Sequence, residues 1–290
     1  MSRPDQLYIL AADHRWQWHD WCDAHERPRD VIPELKGIAV AGFLAARERS
    51  DEVRARGAML LDELYSSRMI ADLRARDIAV AAPVEKAGAF PLEWATDPFW
   101  AALTGSMAKV LVRYRPEYPE ARIEAEQQAL RELSDWCRSQ ACPWMLEVVV
   151  PSERHENEEQ FAREVRPAAV AAYIARSYER GIQPDYWKME GTTSEEGARL
   201  VDAAVQSVSG PAFLVLGKAA PLGTIGRWFR AAHAMTTAAG FAIGRSIYWD
   251  PAARFALGEI SRDQAIEIVA DTYLTTIDLW QKSATPATAT

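Results

Sequence analysis

The sequence predicts an α/β protein of the (β/α)8 TIM-barrel type, and three observations support this fold class. Eight short apolar runs recur along the chain, and most are apolar throughout, as expected of parallel strands that are covered on both faces. Helix-like segments separate the runs, which requires parallel pairing of the strands. The length of 290 residues suits eight such units in one domain. The predicted strands are 7–13, 58–63, 79–85, 108–114, 144–150, 186–190, 212–217 and 240–246.

Helix boundaries are marked by capping residues and by glycines. Two pairs have the spacing of a capping box and are expected to begin helices: Thr193 with Glu196, and Ser261 with Gln264. Gly181 and Gly240 are expected to end the helices that precede strands six and eight, because glycine accepts the left-handed backbone of a helix C-terminus.

The chain is predicted to form one domain. No G-x-G-x-x-G follows the first strand, which disfavours a doubly wound dinucleotide-binding sheet, and no linker-like change of composition interrupts the chain. We therefore expect a single barrel domain over residues 1–282. The small and polar residues 283–290, SATPATAT, are predicted to be a disordered tail.

Composition excludes several classes of function. A net charge of −8 argues against a broad nucleic-acid-binding surface, which needs clustered cations. Three cysteines without metal-type spacing suggest neither a disulfide framework nor a zinc ribbon, so a cytoplasmic location is expected. No apolar run of about 18 residues is found, so we expect no membrane span and no secretory signal.

Polar residues interrupt the ends of the predicted strands, which is where a barrel of this type places its chemistry. They are Asp13, His14 and Arg15 after strand one, Asp62 and Glu63 on strand two, Glu85 and Lys86 on strand three, Lys109 and Arg113 on strand four, Glu147 on strand five, Lys188 and Glu190 on strand six, Lys218 after strand seven, and Arg245 in strand eight.

Lysine placement is the sharpest of these signals. Only six of the 33 basic residues are lysines, and four of the six lie in or beside predicted strands: Lys86, Lys109, Lys188 and Lys218. A lysine amine that loses its proton can attack a carbonyl and form a Schiff base, which arginine cannot do. Lys188, between Trp187 and Met189, is the best candidate nucleophile. The alternative, which the pattern favours equally, is a structural ion pair of Lys188 with Glu147 or Glu190.

Glu147 and the end of strand one offer further candidates. Glu147 lies between two apolar residues, so it is either a proton shuttle or a charge paired with Lys109 or Lys188. Asp13 and Arg15 are expected on one face of their extended segment and His14 on the other. A structural tie across the barrel mouth would also explain Asp13 or Arg15.

Two glycine–cation pairs predict an oxyanion site. Gly217 with Lys218 and Gly244 with Arg245 stand at the ends of strands seven and eight, where barrel enzymes often bind phosphate. The histidines lack H-x-H and H-E-x-x-H spacing, so no metal is expected.

Several motifs together resemble the DUF2090 family. They include LAADHR, AKVLVRYRPE and LEVVVP, and the most specific are PDYWKMEG, LGKAAP and GFAIGRS in this order; the resemblance covers about residues 7–280. The family occurs as the C-terminal part of some 5-dehydro-2-deoxygluconokinases and is similar to class I tagatose-bisphosphate and sulfofructose-phosphate aldolases. The resemblance implies a (β/α)8 class I aldolase in which Lys188 forms the Schiff base, Glu147 shuttles protons, and Asp13 and Lys109 lie beside the carbonyl.

The chain departs from the family pattern in two ways. It has no counterpart of the kinase portion, so we expect a stand-alone domain whose substrate can differ from that of the fused proteins. Lys218 and Ala219 stand where the family pattern suggests a more acidic or apolar pair, which weakens the assignment of the phosphate end.

The resulting functional hypothesis is an aldolase that cleaves 6-phospho-5-dehydro-2-deoxy-D-gluconate to dihydroxyacetone phosphate and malonate semialdehyde, a step of myo-inositol catabolism. Arg113 or Arg15 would bind the carboxylate, and no cofactor other than the covalent lysine is expected. The alternatives are an aldolase or transaldolase that acts on a related ketose phosphate or sulfosugar, and a non-catalytic sugar-phosphate-binding regulatory barrel. The expected partner is a small anionic sugar, and the sequence is compatible with a homo-oligomer.

Overall fold

A closed barrel of eight parallel strands forms the centre of the protein. The computed structural model describes residues 5–95, 107–153 and 156–284. Within them the strands are β1 (Leu7–Ala11), β2 (Gly57–Leu60), β3 (Val80–Pro83), β4 (Met107–Arg113), β5 (Trp144–Val149), β6 (Tyr186–Glu190), β7 (Ala212–Leu216) and β8 (Ala238–Ile243). Each strand pairs with its neighbours in chain order, and β8 closes the barrel against β1. The predicted fold class is therefore confirmed.

Helices connect the strands and surround the barrel. They are α1 (Trp16–Ala24), α2 (Ile32–Arg49), α3 (Asp51–Arg56), α4 (Glu63–Arg74), α5 (Glu120–Ser139), α6 (Glu158–Gln160), α7 (Arg166–Glu179), α8 (Glu195–Gln206), α9 (Leu222–Ala232), α10 (Arg245–Ala256) and α11 (Arg262–Ser283). A 3-10 turn over Arg29–Val31 precedes α2, and a π turn over Phe161–Val165 joins α6 to α7. Helix α11 includes Ser283, the first residue of the predicted tail, and residues 285–290 lie outside the described part.

Local sequence explains several of these boundaries. The capping box of Ser261 and Gln264 is confirmed, with both of its hydrogen bonds formed. The one predicted at Thr193 is wrong by a residue: Ser194 is the N-cap of α8 and accepts a hydrogen bond from the Gly197 amide. Ser194 can do so because its backbone is extended, which aims the hydroxyl at the first free amides of the helix.

The start of β8 also differs from the prediction. Gly240 does not end a helix but lies inside β8, with a φ of +136°, where the register between β7 and β8 shifts. A Cβ atom at this position would stand 2.1 Å from the Leu7 carbonyl oxygen. Glycine is therefore needed here because β8 must pass close to the backbone of β1.

Several strands end earlier than predicted, so polar residues assigned to strands stand just beyond them. Arg245, predicted in strand eight, is the first residue of α10. Asp62, predicted on strand two, is the N-cap of α4 and accepts a hydrogen bond from the Tyr65 amide. Capping requires the chain to leave the sheet, which a pattern of apolar residues does not reveal.

Two apolar layers hold the barrel. Inside it, small or slender residues such as Ala58, Ala81 and Leu214 form one buried cluster, and a larger cluster fills the space between the sheet and the helices. Met145 belongs to the interior cluster, and Glu147 lies on the same face of β5 two residues nearer the C-terminal end. The apolar interior therefore ends where the charged residues begin.

Candidate active site

A cavity of about 210 Å³ opens at the C-terminal ends of the strands. Of the polar residues at the predicted strand ends, Asp62 and Glu63 do not line this cavity. Barrel closure does bring into its lining the ten residues to which the sequence assigned a catalytic or substrate-binding role. They are Asp13, Arg15, Lys109, Arg113, Glu147, Lys188, Gly217, Lys218, Gly244 and Arg245.

Lys188, Glu147 and Lys109 form the centre of the cavity. Glu147 stands opposite Lys188 in the register of β5 and β6, and Nζ of Lys188 lies 3.0 Å from Oε2 of Glu147. Nζ of Lys109 lies 2.9 Å from the same oxygen. Lys188 is 4 % exposed and Lys109 2 % exposed, so both amines are held in a nearly dry environment. The ion pair that sequence patterns left open for Lys188 and Glu147 is thus present, at a position where both can also contact a substrate.

Lys109 also forms ion pairs with two more carboxylates. Its Nζ lies 3.1 Å from Oε1 of Glu85 and 3.2 Å from Oδ2 of Asp13. Arg15 donates to the same Glu85 oxygen at 3.2 Å and to the Glu85 carbonyl oxygen at 3.1 Å. The structural tie that the sequence suggested for Arg15 is therefore made, and it runs to the loop after β3.

The charges in this cluster set its protonation states. Burial alone would raise the pKa of Glu147, but the charges of Lys109 and Lys188 outweigh it and hold that pKa below its usual value. The pKa of Asp13 is lowered in the same way, against its burial, chiefly by Lys109. Glu147 and Asp13 are therefore ionised at neutral pH.

Lys109 and Glu85, which lie beside Glu147 and Asp13, have raised pKa values. Burial would lower the pKa of Lys109, but Glu147, Glu85 and Asp13 together raise it above its usual value. Burial raises the pKa of Glu85, although Lys109 and Arg15 oppose the shift. Lys109 is therefore a permanent cation at the centre of the cavity.

A buried lysine supports the loop after β1 from behind. Lys36, on α2, is fully buried and donates to the Ala12 carbonyl oxygen at 2.6 Å, to the His14 carbonyl oxygen at 2.9 Å and to Asp62. Lys36 was not among the candidates that the sequence singled out. One signal was available: Lys36 is one of only six lysines and stands on the face of α2 that also carries Ile32 and Val40.

The face predicted for His14 is wrong. Asp13, His14 and Arg15 all line the cavity, because the chain has left the sheet after Ala11 and no longer alternates. The Nδ1 atom of His14 lies 3.2 Å from the hydroxyl of Tyr248.

Glu190 holds one rim of the cavity. Its Oε2 lies 3.0 Å from Nζ of Lys218 and 3.1 Å from Nη1 of Arg166. Arg166 begins α7 directly after the π turn, and no sequence pattern marks it as a site residue. Lys218 has a left-handed backbone with a φ of +45°, and its side chain stays partly exposed.

The loop after β8 leaves room for a ligand beside a cation. A Cβ atom at Gly244 would stand 1.9 Å from the Ala11 carbonyl oxygen, so only glycine fits between β1 and β8. Arg245 follows directly, and its buried Nε has no hydrogen-bond partner among the described residues. A polar donor in this state is suited to an anionic ligand.

Arg113 and Lys86 lie nearer the outside. The guanidinium of Arg113 is 4.1 Å from the centre of the Phe90 ring, and no described carboxylate pairs with it. Lys86 is exposed and pairs with Glu93, so it does not belong to the buried centre.

The described residues offer neither a metal-binding cluster nor a membrane-spanning helix. They contain no group of three or more His, Cys, Asp and Glu side chains arranged to hold a metal ion. None of their helices is long and apolar enough to cross a membrane.

Fold and site together define a (β/α)8 barrel with a buried lysine–glutamate–lysine centre at the C-terminal ends of its strands. The chain belongs to the family described as an uncharacterised protein conserved in bacteria, DUF2090, which it matches over residues 1–284. No curated protein sequence matches it significantly.

Solved structures share the fold. A fructose-bisphosphate aldolase from Plasmodium falciparum is similar with a TM-score of 0.70 at 11% identity, over 96% of this chain and 92% of that one. A structural-genomics target from Corynebacterium glutamicum is similar with a TM-score of 0.58 at 17% identity, over 93% of this chain and 86% of that one. At these identities the comparison establishes the architecture.

Proposed function

We propose that the protein is a class I aldolase whose Lys188 forms an iminium with a keto-sugar phosphate. The observation that supports this most strongly is the position of Lys188, a buried amine that lines the cavity and shares the Oε2 atom of Glu147 with Lys109. Its similarity in fold to a fructose-bisphosphate aldolase supports the same class of reaction.

Cations at opposite sides of the cavity favour a substrate with two anionic ends. Arg113 ends β4 and Arg245 follows β8, and these strands are four positions apart in the eight-stranded ring. A planar guanidinium suits a carboxylate, and Arg245 beside Gly244 suits a phosphate. We therefore propose 6-phospho-5-dehydro-2-deoxy-D-gluconate as substrate, with its carboxylate at Arg113 and its phosphate at Arg245, Gly244, Gly217 and Lys218.

Cleavage would proceed through covalent catalysis. Lys188 passes one proton to Glu147, and its free amine adds to the C5 ketone to form a carbinolamine. Glu147 returns the proton to the carbinolamine hydroxyl, which leaves as water and gives a protonated iminium. The iminium accepts the electron pair of the C3–C4 bond, while the C3 hydroxyl loses its proton, and malonate semialdehyde departs. The remaining enamine takes a proton at C4, and water then releases dihydroxyacetone phosphate and restores the amine.

Glu147 is placed to handle these protons. It is ionised in the free protein, so it can accept the C3 hydroxyl proton, directly or through a water molecule, and return a proton to C4 of the enamine. When Lys188 becomes an iminium it has fewer N–H donors to offer Glu147, which makes the carboxylate a better base. Lys109, held by Glu85 and Asp13, stays cationic and would stabilise oxygen atoms that gain charge.

In this mechanism the iminium is the electron sink, so the proposed reaction needs neither a metal nor a separate cofactor. The second candidate is an aldolase for a related ketose bisphosphate or sulfosugar, because the two cationic ends of the cavity would also accept a second phosphate or a sulfonate.

The proposal is tested by offering the purified protein a panel of keto-sugar phosphates and measuring release of dihydroxyacetone phosphate with a coupled dehydrogenase. We expect turnover of the deoxygluconate phosphate that survives exhaustive chelation. Turnover that chelation abolishes and zinc restores would contradict the mechanism. Binding of the sugar phosphates without cleavage of any of them would indicate the regulatory barrel instead.

A further inference from the structure

A chain of aromatic residues behind the cavity fixes the orientation of His14. Trp18 and Tyr248 are fully buried, and Nε1 of Trp18 lies 3.2 Å from the Tyr248 hydroxyl oxygen. The same oxygen lies 3.2 Å from Nδ1 of His14, which is half-buried in the cavity lining. The order from the interior outward is therefore Trp18, Tyr248 and His14.

The number of donors and acceptors along this chain favours one assignment of their roles. An indole N–H can only donate, so the Tyr248 oxygen accepts from Trp18. The buried Tyr248 hydroxyl must then donate its own proton, and Nδ1 of His14 is its only acceptor among the described residues. Nδ1 is therefore unprotonated, and the neutral ring of His14 carries its proton on Nε2.

His14 is also kept neutral. Burial lowers its pKa to about 3, and although Asp13 opposes the shift, Arg245 adds to it. The Nε2 atom of His14 has no hydrogen-bond partner in the described part of the chain, and it is not enclosed by protein, so it is accessible from the cavity. The Nε2–H group thus faces the cavity as a fixed, uncharged donor.

We propose that His14 binds a hydroxyl oxygen of the substrate through Nε2–H, in the half that stays on Lys188 after cleavage. This inference rests on the proposed function, in which the phosphate lies by Arg245. The loop after β1 adjoins β8, so His14 is next to that half of the substrate. Charged donors are available there for the phosphate, and a neutral donor suits an uncharged hydroxyl. The hydroxyl concerned is the one on C4, which becomes the free hydroxyl of dihydroxyacetone phosphate.

Two ligands that differ by this hydroxyl test the inference. Binding of dihydroxyacetone phosphate and of acetol phosphate, which lacks the hydroxyl, is measured by calorimetry. We expect the wild-type protein to prefer the hydroxylated ligand by roughly tenfold. His14→Leu should lose this preference, whereas His14→Gln, which retains an N–H donor, should keep part of it.

The control is His19→Leu on α1, which removes a histidine that bonds Tyr65 and does not line the cavity. It should leave the preference unchanged. An equal loss of affinity for both ligands in His14→Leu would assign His14 a structural role and overturn the inference. Nitrogen-15 NMR gives a second check, because Nδ1 of His14 should show the shift of an unprotonated ring nitrogen. A protonated Nδ1 would also overturn the inference.

Borohydride treatment separates this inference from the proposed function. A wild-type protein that prefers the hydroxylated ligand but gives no adduct after reduction would refute the Schiff base and keep the role of His14. An adduct without any preference between the two ligands would support the Schiff base and refute the role of His14.

Discussion

Glu147 is the most constrained residue of the cavity. One of its oxygens accepts from two lysines, and it is 7 % exposed, so its carboxylate is desolvated and compensated at the same time. A carboxylate in this setting is ionised and lies close to Lys188, the proposed nucleophile, which is the arrangement a proton shuttle requires.

Replacing Glu147 by glutamine should separate proton transfer from covalent bond formation. Glu147→Gln keeps the shape but removes the base, so we expect turnover to fall by on the order of a hundredfold or more while Schiff-base trapping stays detectable. Single-turnover kinetics and borohydride trapping measure the two effects. Glu93→Gln, at an exposed glutamate, serves as the control. A variant that neither traps nor folds would show that Glu147 is a structural counter-ion.

The two ends of the substrate should respond to different arginines. Arg245→Ala should raise KM steeply for phosphorylated substrates, because the variant loses a cation that binds the phosphate. It should change KM little for a non-phosphorylated analogue.

Arg113→Ala should lower kcat/KM for the carboxylated substrate. It should leave trapping of dihydroxyacetone phosphate unchanged, because that ligand has no carboxylate. Equal losses on all ligands, with a lowered melting temperature, would contradict these assignments.

At the scale of elements, the loop between β1 and α1 depends on α2. Lys36 reaches from α2 to two carbonyl oxygens of that loop and to Asp62, the N-cap of α4. One buried ammonium therefore sets the backbone that carries Asp13 and His14. Removing it leaves a buried carboxylate and two carbonyl groups without this donor.

Lys36→Met should destabilise the protein by about 3 to 5 kcal/mol, because it breaks a buried ion pair on one side only. Urea denaturation, monitored by circular dichroism, measures the change in the free energy of unfolding. Lys282→Met, which removes an exposed lysine that pairs with Asp278 on α11, should cost no more than about 0.5 kcal/mol. Adding Asp62→Asn to Lys36→Met should restore part of the loss. Equal stability of the two lysine variants would refute the role given to Lys36.

Sequence patterns predicted the barrel and the convergence of the candidate residues at one end of it, for the same reason. Apolar runs mark strands covered on both faces, and the C-terminal ends of parallel strands must meet at one end of a closed barrel. Lys109, Glu147 and Lys188 could therefore be grouped without coordinates. Lys36 could not, because its partners are backbone carbonyls of a loop, and no spacing in the sequence encodes such a contact.

Strand ends and orientation were less predictable. Arg245 is separated from the apolar run by Gly244 alone, and glycine marks the end of a helix more often than its start, so the pattern does not show that a helix begins there. Gly240 has the appearance of a helix stop, but it serves the close approach of β8 to the Leu7 carbonyl. Both features depend on contacts between β1 and β8, which are far apart in the chain.

At the scale of the whole molecule, one buried carboxyl outside the cavity affects stability. Burial raises the pKa of Glu126, on α5, to about 7, against the nearby charge of Arg122. Its Oε2 is buried without a hydrogen-bond partner in the described part of the chain. Because the pKa of this carboxyl is higher in the folded protein than in the unfolded chain, it lowers stability as the pH rises from about 4.5 to about 7, and the loss is constant at higher pH.

Glu126→Gln should therefore stabilise the protein in a pH-dependent way. At pH 8 we expect the free energy of unfolding to rise by about 2 to 3 kcal/mol, whereas near pH 5 the carboxyl is already protonated in the folded protein and the gain should largely vanish. Denaturation curves at the two pH values measure this. Glu132→Gln, at an exposed position of α5, is the control. A gain that does not change with pH would show that Glu126 titrates normally.

The most direct test of the central claim is the identity of the trapped lysine. The wild-type protein is reduced with borohydride in the presence of dihydroxyacetone phosphate, and its peptides are mapped by mass spectrometry. We expect a reduced three-carbon phosphate adduct on the peptide that carries Lys188, no adduct in Lys188→Arg, and an unchanged adduct in Lys86→Arg. An adduct on Lys86, Lys109 or Lys218, or none on any lysine, would contradict the assignment of Lys188 as the nucleophile.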